Sequence, residues 1–203
     1  LGAVVIGLSK AALPGAGTVA VVLFASVLPA KESTGRILLL LIVGDVFALV
    51  SYRRHADWRT IVRMAPAVVL GLVAGAVFLA SATDAVVRVT IGVLLLLVVA
   101  VTLWRRRSPS TVAAGAVTAG AYGGIAGFTT MVANAGGPVT SMYFLACRYP
   151  VKAFLGTTAW FFFLVNLVKL PFSISAGLVN TTTMSLTAIC APVVIVSAPA
   201  GRR

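Results

Sequence analysis

GFTTMVANAGGP, residues 127–138, breaks a hydrophobic stretch over residues 112–147 with glycine, asparagine and proline where a membrane-spanning helix has little use for them. GLSKAALPGAG, residues 7–17, breaks the stretch over residues 1–28 in the same manner. Hydrocarbon tolerates unpaired backbone only where protein or a water-filled cavity surrounds it, so paired breaks point to a solute site in the interior. The expected fold is an all-α integral membrane protein with broken or re-entrant helices at residues 7–17 and 127–138. The expected function is that of a small transporter.

Composition agrees. Of 203 residues, 60% are hydrophobic and 10% charged, and the acidic ones are only Glu32, Asp45, Asp57 and Asp84; the mean hydropathy is +1.09. A soluble domain could not cover its surface with so few charges, whereas a lipid bilayer makes such cover unnecessary. A net charge of +12 would suit a nucleic acid, but the basic residues sit in short stretches between apolar runs, as in SYRRHADWRTIVR and WRRRSPS. That is the positive-inside pattern of a cell-membrane protein, and no nucleic-acid partner is expected. Cys147 and Cys190 are isolated, without metal or redox spacing, so neither metal nor cofactor is expected. The start at Leu1 has no signal-peptide pattern, and both ends read as truncated.

A helical crossing needs about 20 residues. The apolar runs give seven spans: a broken first over 1–28, then 37–52, 61–80, 86–104, a broken fifth over 112–147, then 153–172 and 184–200. Arg53, Arg54, Arg59 and Arg63 in one connection, and the arginines at 105–107 in another, belong to the cytoplasm; the SATDA turn with Asp84 falls outside. Under this count Arg148, Lys152, Arg202 and Arg203 alternate to the outside. Either a break is re-entrant or the later charges follow the first half.

The chain also repeats weakly. An offset of 120 places Gly7 on Gly127, Ser9 on Thr129, Gly17 on Gly137 and Phe24 on Phe144; one residue more places Pro29 on Pro150, Lys31 on Lys152, Gly35 on Gly156 and Asp45 on Asn166. A single transporter domain, residues 1–203, is expected to hold two related halves, about 1–107 and 111–203. An even number of spans in each would orient both halves alike.

Candidate solute-binding residues cluster at the breaks. Lys10, beside Ser9, Pro14, Gly15 and Gly17, is costly at depth unless it meets a wet cavity or a partner; the plainer reading is that it snorkels to an interface. In the second break Asn134 offers donors and an acceptor, and Gly136 and Gly137 let backbone N–H groups approach a solute. Pro138 suits the first turn of a following half-helix, whose open N–H groups favour an anion. Thr129 and Thr130 would add hydroxyls. The plainer reading is close helix packing, which suits Gly71, Gly75, Gly120, Gly123, Gly124 and Gly127 but explains Asn134 and Pro138 poorly.

In GTTAWFFFLVNLVKLP, Thr158, Asn166 and Lys169 share one side of a helix. Asp45, a carboxylate within a span, would serve as coupling group or structural ion pair, with Lys10 or Lys169 as partner. His55 reads as solvated, and Trp160 with Phe161, Phe162 and Phe163 as packing or lipid-facing bulk.

These segments, together with PAKESTGRILLLLIVGDVFALVSYRRHADW and FLGTTAWFFFLVNLVKLPF, resemble the sulfite exporter TauE/SafE family over nearly the whole chain. The resemblance implies a permease of two repeated halves moving sulfur-containing anions such as sulfite or organosulfonates. A passive anion channel and a permease for another small organic anion are the alternatives. An intramembrane enzyme would need a nucleophile with a base or clustered metal ligands. One His outside the spans, scattered acids and lone cysteines supply neither.

Overall fold

The structure, a computed structural model, describes residues 30–107 and 115–178. The spans at 1–28 and 184–200 lie outside those residues, as do the first break and its Ser9, Lys10, Pro14, Gly15 and Gly17. Along the described chain run α1 (Ala30–Tyr52), a 3-10 turn (Arg53–His55), α2 (Trp58–Ser81), α3 (Asp84–Arg107), α4 (Ala116–Ala133), α5 (Gly136–Ala146) and α6 (Val151–Ser175). Every regular element among the described residues is helical. Trp58–Ser81, Asp84–Arg105, Ala116–Ala133 and Val151–Ser175 are long and apolar enough to cross a membrane. The described residues thus hold six α-helices, four of them of this kind, where the sequence reading counted seven spans over the whole chain. The count differs because the fifth span is two helices and two other spans are outside the described residues.

Local chemistry sets the helix ends. Asp57 caps α2 by accepting the Thr60 amide at 3.3 Å, which satisfies one of the donors a helix start leaves open. The α4 start is held by Gly115, whose amide donates to Thr118 Oγ1 at 3.1 Å. Asn134 ends α4 in the left-handed conformation, at φ 49, which asparagine adopts more readily than most residues.

α2 and α4 run parallel and cross closely. A Cβ added at Gly71 would lie 2.2 Å from Gly124 O, and one at Gly127 would lie 2.3 Å from Val68 O. Gly123 meets Met64, and Gly75 meets Met131. Small-residue packing therefore accounts for these glycines, but not for Gly120, which has nothing within 4 Å. Around this seam Met64, Val68, Leu72, Met131 and Val132 are buried. α3, by contrast, exposes Val89, Val93, Leu96 and Leu103, a surface suited to lipid.

α5 turns back along α4. Gly136 packs on Ala126 and Thr130, the Tyr122 and Tyr143 rings pack at a tilt with centroids 5.4 Å apart, and Tyr149 reaches Asp57. Arg148 and Lys152 consequently lie on the same side as Arg53 and Arg54. The second break is re-entrant, and the basic residues of this region agree with the positive-inside rule after all.

α1 and α6 are antiparallel. Near the start of α1, Gly35 abuts Leu178, which follows α6, while near the start of α6, Gly156 abuts Tyr52, His55 and Ala56, at and after the end of α1. α1 and α6, which carry the residues matched at the 121-residue offset, thus point in opposite directions, whereas the sequence reading gave its two halves one orientation. The re-entrant hairpin makes the difference: it returns the chain to the side it came from and so reverses the direction of α6.

Candidate functional site at the α4–α5 bend

The bend occupies Asn134 and Ala135, narrower than the twelve-residue stretch that marks it in the sequence; residues 127–133 are still helical. The end of α4 is closed by the Asn134 amide on Thr130 O at 3.0 Å and the Ala135 amide on Thr129 O at 3.2 Å. α5 then begins at Gly136 with no side-chain cap. Its first-turn amides therefore point beyond the helix start, and Pro138 falls in that first turn, where its missing N–H costs nothing.

Lys169 of α6 is fully buried at this bend. Its ammonium donates to Thr130 O at 2.6 Å and to Asn134 Oδ1 at 2.5 Å. The other half of the Asn134 amide donates from Nδ2 to Thr34 O at 3.0 Å, and Thr34 Oγ1 donates to Val132 O at 3.2 Å. The bend is thus tied to both α1 and α6. An ammonium in this low-dielectric setting exerts a far larger pull on an anion than one in water, and the Thr130 carbonyl and Asn134 amide oxygens hold it at the bend.

Three residues earlier on α6, Asn166 donates from Nδ2 to Asp45 Oδ2 of α1 at 2.7 Å. Both residues are 1% exposed, and Asp45 and Lys169 are the buried charged side chains among the described residues. Asn166 Oδ1 has no hydrogen-bond partner, and neither do Ser173 Oγ and Thr158 Oγ1.

The structure therefore gathers Thr130, Asn134, Asn166, Lys169 and Asp45 along one polar seam. It does not bring every expected group there. Thr129 bonds back to Ile125 O at 2.8 Å within its own helix. Thr158 lies two turns closer to the basic side, and Gly136 serves the α4–α5 contact. Both polar atoms of the Asn134 side chain are used by protein. Sequence reasoning missed Thr34, whose part is visible only once α1 is packed against the bend. It also missed Ser173, one turn beyond Lys169.

A second polar cluster closes the basic side. Asp57 Oδ2 accepts from Tyr149 at 2.5 Å and from Thr60 Oγ1 at 2.8 Å, and the Asp57 amide donates to Thr157 Oγ1 at 2.8 Å. Trp160 Nε1 donates to Arg53 O at 3.2 Å. Burial pushes the Asp57 carboxyl up, but the Tyr149 and Thr60 bonds outweigh it and hold the group below the usual carboxylate range. Among the described residues, no three His, Cys, Asp or Glu side chains are grouped to hold a metal.

A chain that doubles back within a bundle of apolar crossings and seats an ammonium at the bend is a multi-pass membrane transporter, since a mere anchor has no use for either feature. It belongs to the sulfite exporter TauE/SafE family, whose model matches residues 1–203. Members of that family are transporters and not enzymes, and this chain is one of them. No curated protein and no solved structure matches it.

Proposed function

We propose that this protein moves small sulfur-containing anions such as sulfite or organosulfonates by alternating access around the α4–α5 bend. The observation that carries the reading is Lys169, fully buried with its charge held beside the open first turn of α5. A small oxyanion near that turn would meet the amides of Gly136 and Gly137 and the Lys169 ammonium, with Thr130, Asn134 and Pro138 shaping the bend. Because carbonyl oxygens already share the ammonium, the anion is attracted but not trapped. Ser9, Lys10, Pro14, Gly15 and Gly17 would supply the counterpart from the first break.

Antiparallel α1 and α6 support an arrangement of inverted halves, about 1–107 and 111–203. Rocking one half against the other would open the bend to each side in turn. The test is flux in vesicles carrying the full-length protein, across sulfite, sulfonates, thiosulfate and small carboxylates. Lys169→Met and Lys10→Ala should each reduce sulfite or sulfonate flux. Unchanged flux in both variants would remove the proposed site, and equilibration without accumulation would make the protein a passive channel.

A further inference from the structure

We infer that Ser173 contacts the solute and selects anions with three terminal oxygens, as in sulfite and sulfonates, over carboxylates, which have two; this rests on the transporter reading and deepens it. Ser173 is 1% exposed, and its hydroxyl has no hydrogen-bond partner. Buried polar groups are almost always paired, and a helical serine has a partner at hand in the carbonyl one turn back. Ser51, Thr102, Thr129 and Thr140 take that bond here, each to the carbonyl four residues earlier. Ser173 does not. Alanine would fill the same space without burying an unpaired hydroxyl, so packing does not account for the group.

Two sets of contacts place Ser173 at the bend. Along α6, Asn166, Lys169 and Ser173 recur at helical spacing and share one face. Ser173 follows Lys169 by one turn, roughly 6 Å of rise, and a helical side chain leans over the turn before its own Cα, so the Ser173 hydroxyl leans toward Lys169. Across the bundle, the Leu178 amide donates to Ser173 O at 2.9 Å, and Leu178 abuts Gly35. The neighbouring Thr34 carbonyl accepts from Asn134 at the bend itself.

The polarity of α6 then puts the anion on one side of Lys169. Toward the basic side, the Asn166–Asp45 pair presents oxygens, among them Asn166 Oδ1 without a donor; these repel an anion. Away from it, Ser173 presents an O–H. An anion on that side meets the open first-turn amides of α5, the Lys169 ammonium and the Ser173 hydroxyl. A pyramidal sulfite or tetrahedral sulfonate group has an oxygen for each of the three. A planar carboxylate leaves one of them unmet, and an unmet buried polar group is an effective means of rejecting an analogue.

The test uses the full-length protein in detergent, with methanesulfonate and acetate as probes that share a methyl group and differ in the oxyanion. Calorimetry should show wild type preferring methanesulfonate. Ser173→Ala should weaken methanesulfonate binding about tenfold, the scale of one lost hydrogen bond to a charged group, and acetate binding by less than about twofold. Its melting temperature without anion should equal or exceed that of wild type, because no protein hydrogen bond is removed. Equal losses for both anions, undiminished methanesulfonate binding, or a lower melting temperature without anion overturns the assignment of Ser173. Lys169→Met distinguishes this failure from that of the transporter reading. If it abolishes methanesulfonate binding while Ser173→Ala does not, Ser173 alone leaves the site; if wild type binds and moves no sulfite or sulfonate, the reading itself fails and Ser173 falls with it.

Discussion

At the residue scale, two side chains make opposed demands on their surroundings. Lys169 is fully buried, and removing its ammonium takes a donor from Asn134 Oδ1 and leaves Thr130 O with the Asn134 amide. Lys169→Met should lower anion flux by about tenfold or more, on the scale of roughly 1.4 kcal/mol lost from the rate-limiting state. Lys169→Arg should restore part of it, and equal flux in all three proteins would remove the lysine from the path. Asp57 acts at the basic side. Its folded carboxyl is held below the ordinary value, with burial opposing and the bonds from Tyr149 and Thr60 prevailing. Its stabilising contribution is complete above the unfolded pKa, about 3.9, and is lost as pH falls through the lower folded value. Asp57→Asn should therefore flatten the acid limb of thermal stability, measured as melting temperature against pH, and leave the neutral limb with a uniform offset. The sequence displays Asp45, Asn166 and Lys169 plainly, because polar groups are conspicuous in an apolar helix. It does not display Thr34 or the Asp57–Tyr149 bond, since each depends on a contact between residues about ninety or more positions apart.

At the element scale, the parallel crossing of α2 and α4 depends on absent side chains. A Cβ at Gly127 would come within 2.3 Å of the Val68 carbonyl, whereas one at Gly120 meets nothing within 4 Å. Gly127→Ala should destabilise by about 1–3 kcal/mol through forced separation of the helices, and Gly120→Ala should be close to neutral. Melting in detergent would compare them; equal losses would mean that helix propensity, not packing, governs both sites. Small-residue spacing marks a helix–helix seam in the sequence, but spacing alone included Gly120 in it. The bend shows the converse difficulty. Glycine, asparagine and proline over twelve residues signal an interruption, yet only Asn134 and Ala135 leave the helix. The direction of the chain afterwards depends on Gly136 packing on Ala126 and Thr130, a tertiary contact that composition does not encode.

At the scale of the whole molecule, the hairpin of α4 and α5 decides sidedness. Without it, strict alternation puts Arg148 and Lys152 outside; with it, they join Arg53 and Arg54, and α6 runs antiparallel to α1. The matched residues are visible in the sequence, but the opposed directions of α1 and α6 are not, because parity depends on whether a broken span crosses or returns. This architecture leaves a definite boundary to move. The turn after α1 is held to the α5–α6 connection by Asp57, Thr60, Tyr149 and Thr157, so it joins elements of the two proposed halves on the basic side. The proposed rocking would break that cluster each time this side opens. Thr60→Cys with Tyr149→Cys, whose native side chains are in hydrogen-bond contact, should be joined by a short, reducible bifunctional thiol reagent that spans the lost tyrosine ring, which should stop anion flux, with recovery on reduction. Asp57→Ala should weaken the closed state and shift labelling of a cysteine at Thr157 toward the cytoplasmic reagent. A fully crosslinked protein with undiminished flux would mean that the cluster stays closed throughout the cycle and that access to the bend from this side is gained elsewhere.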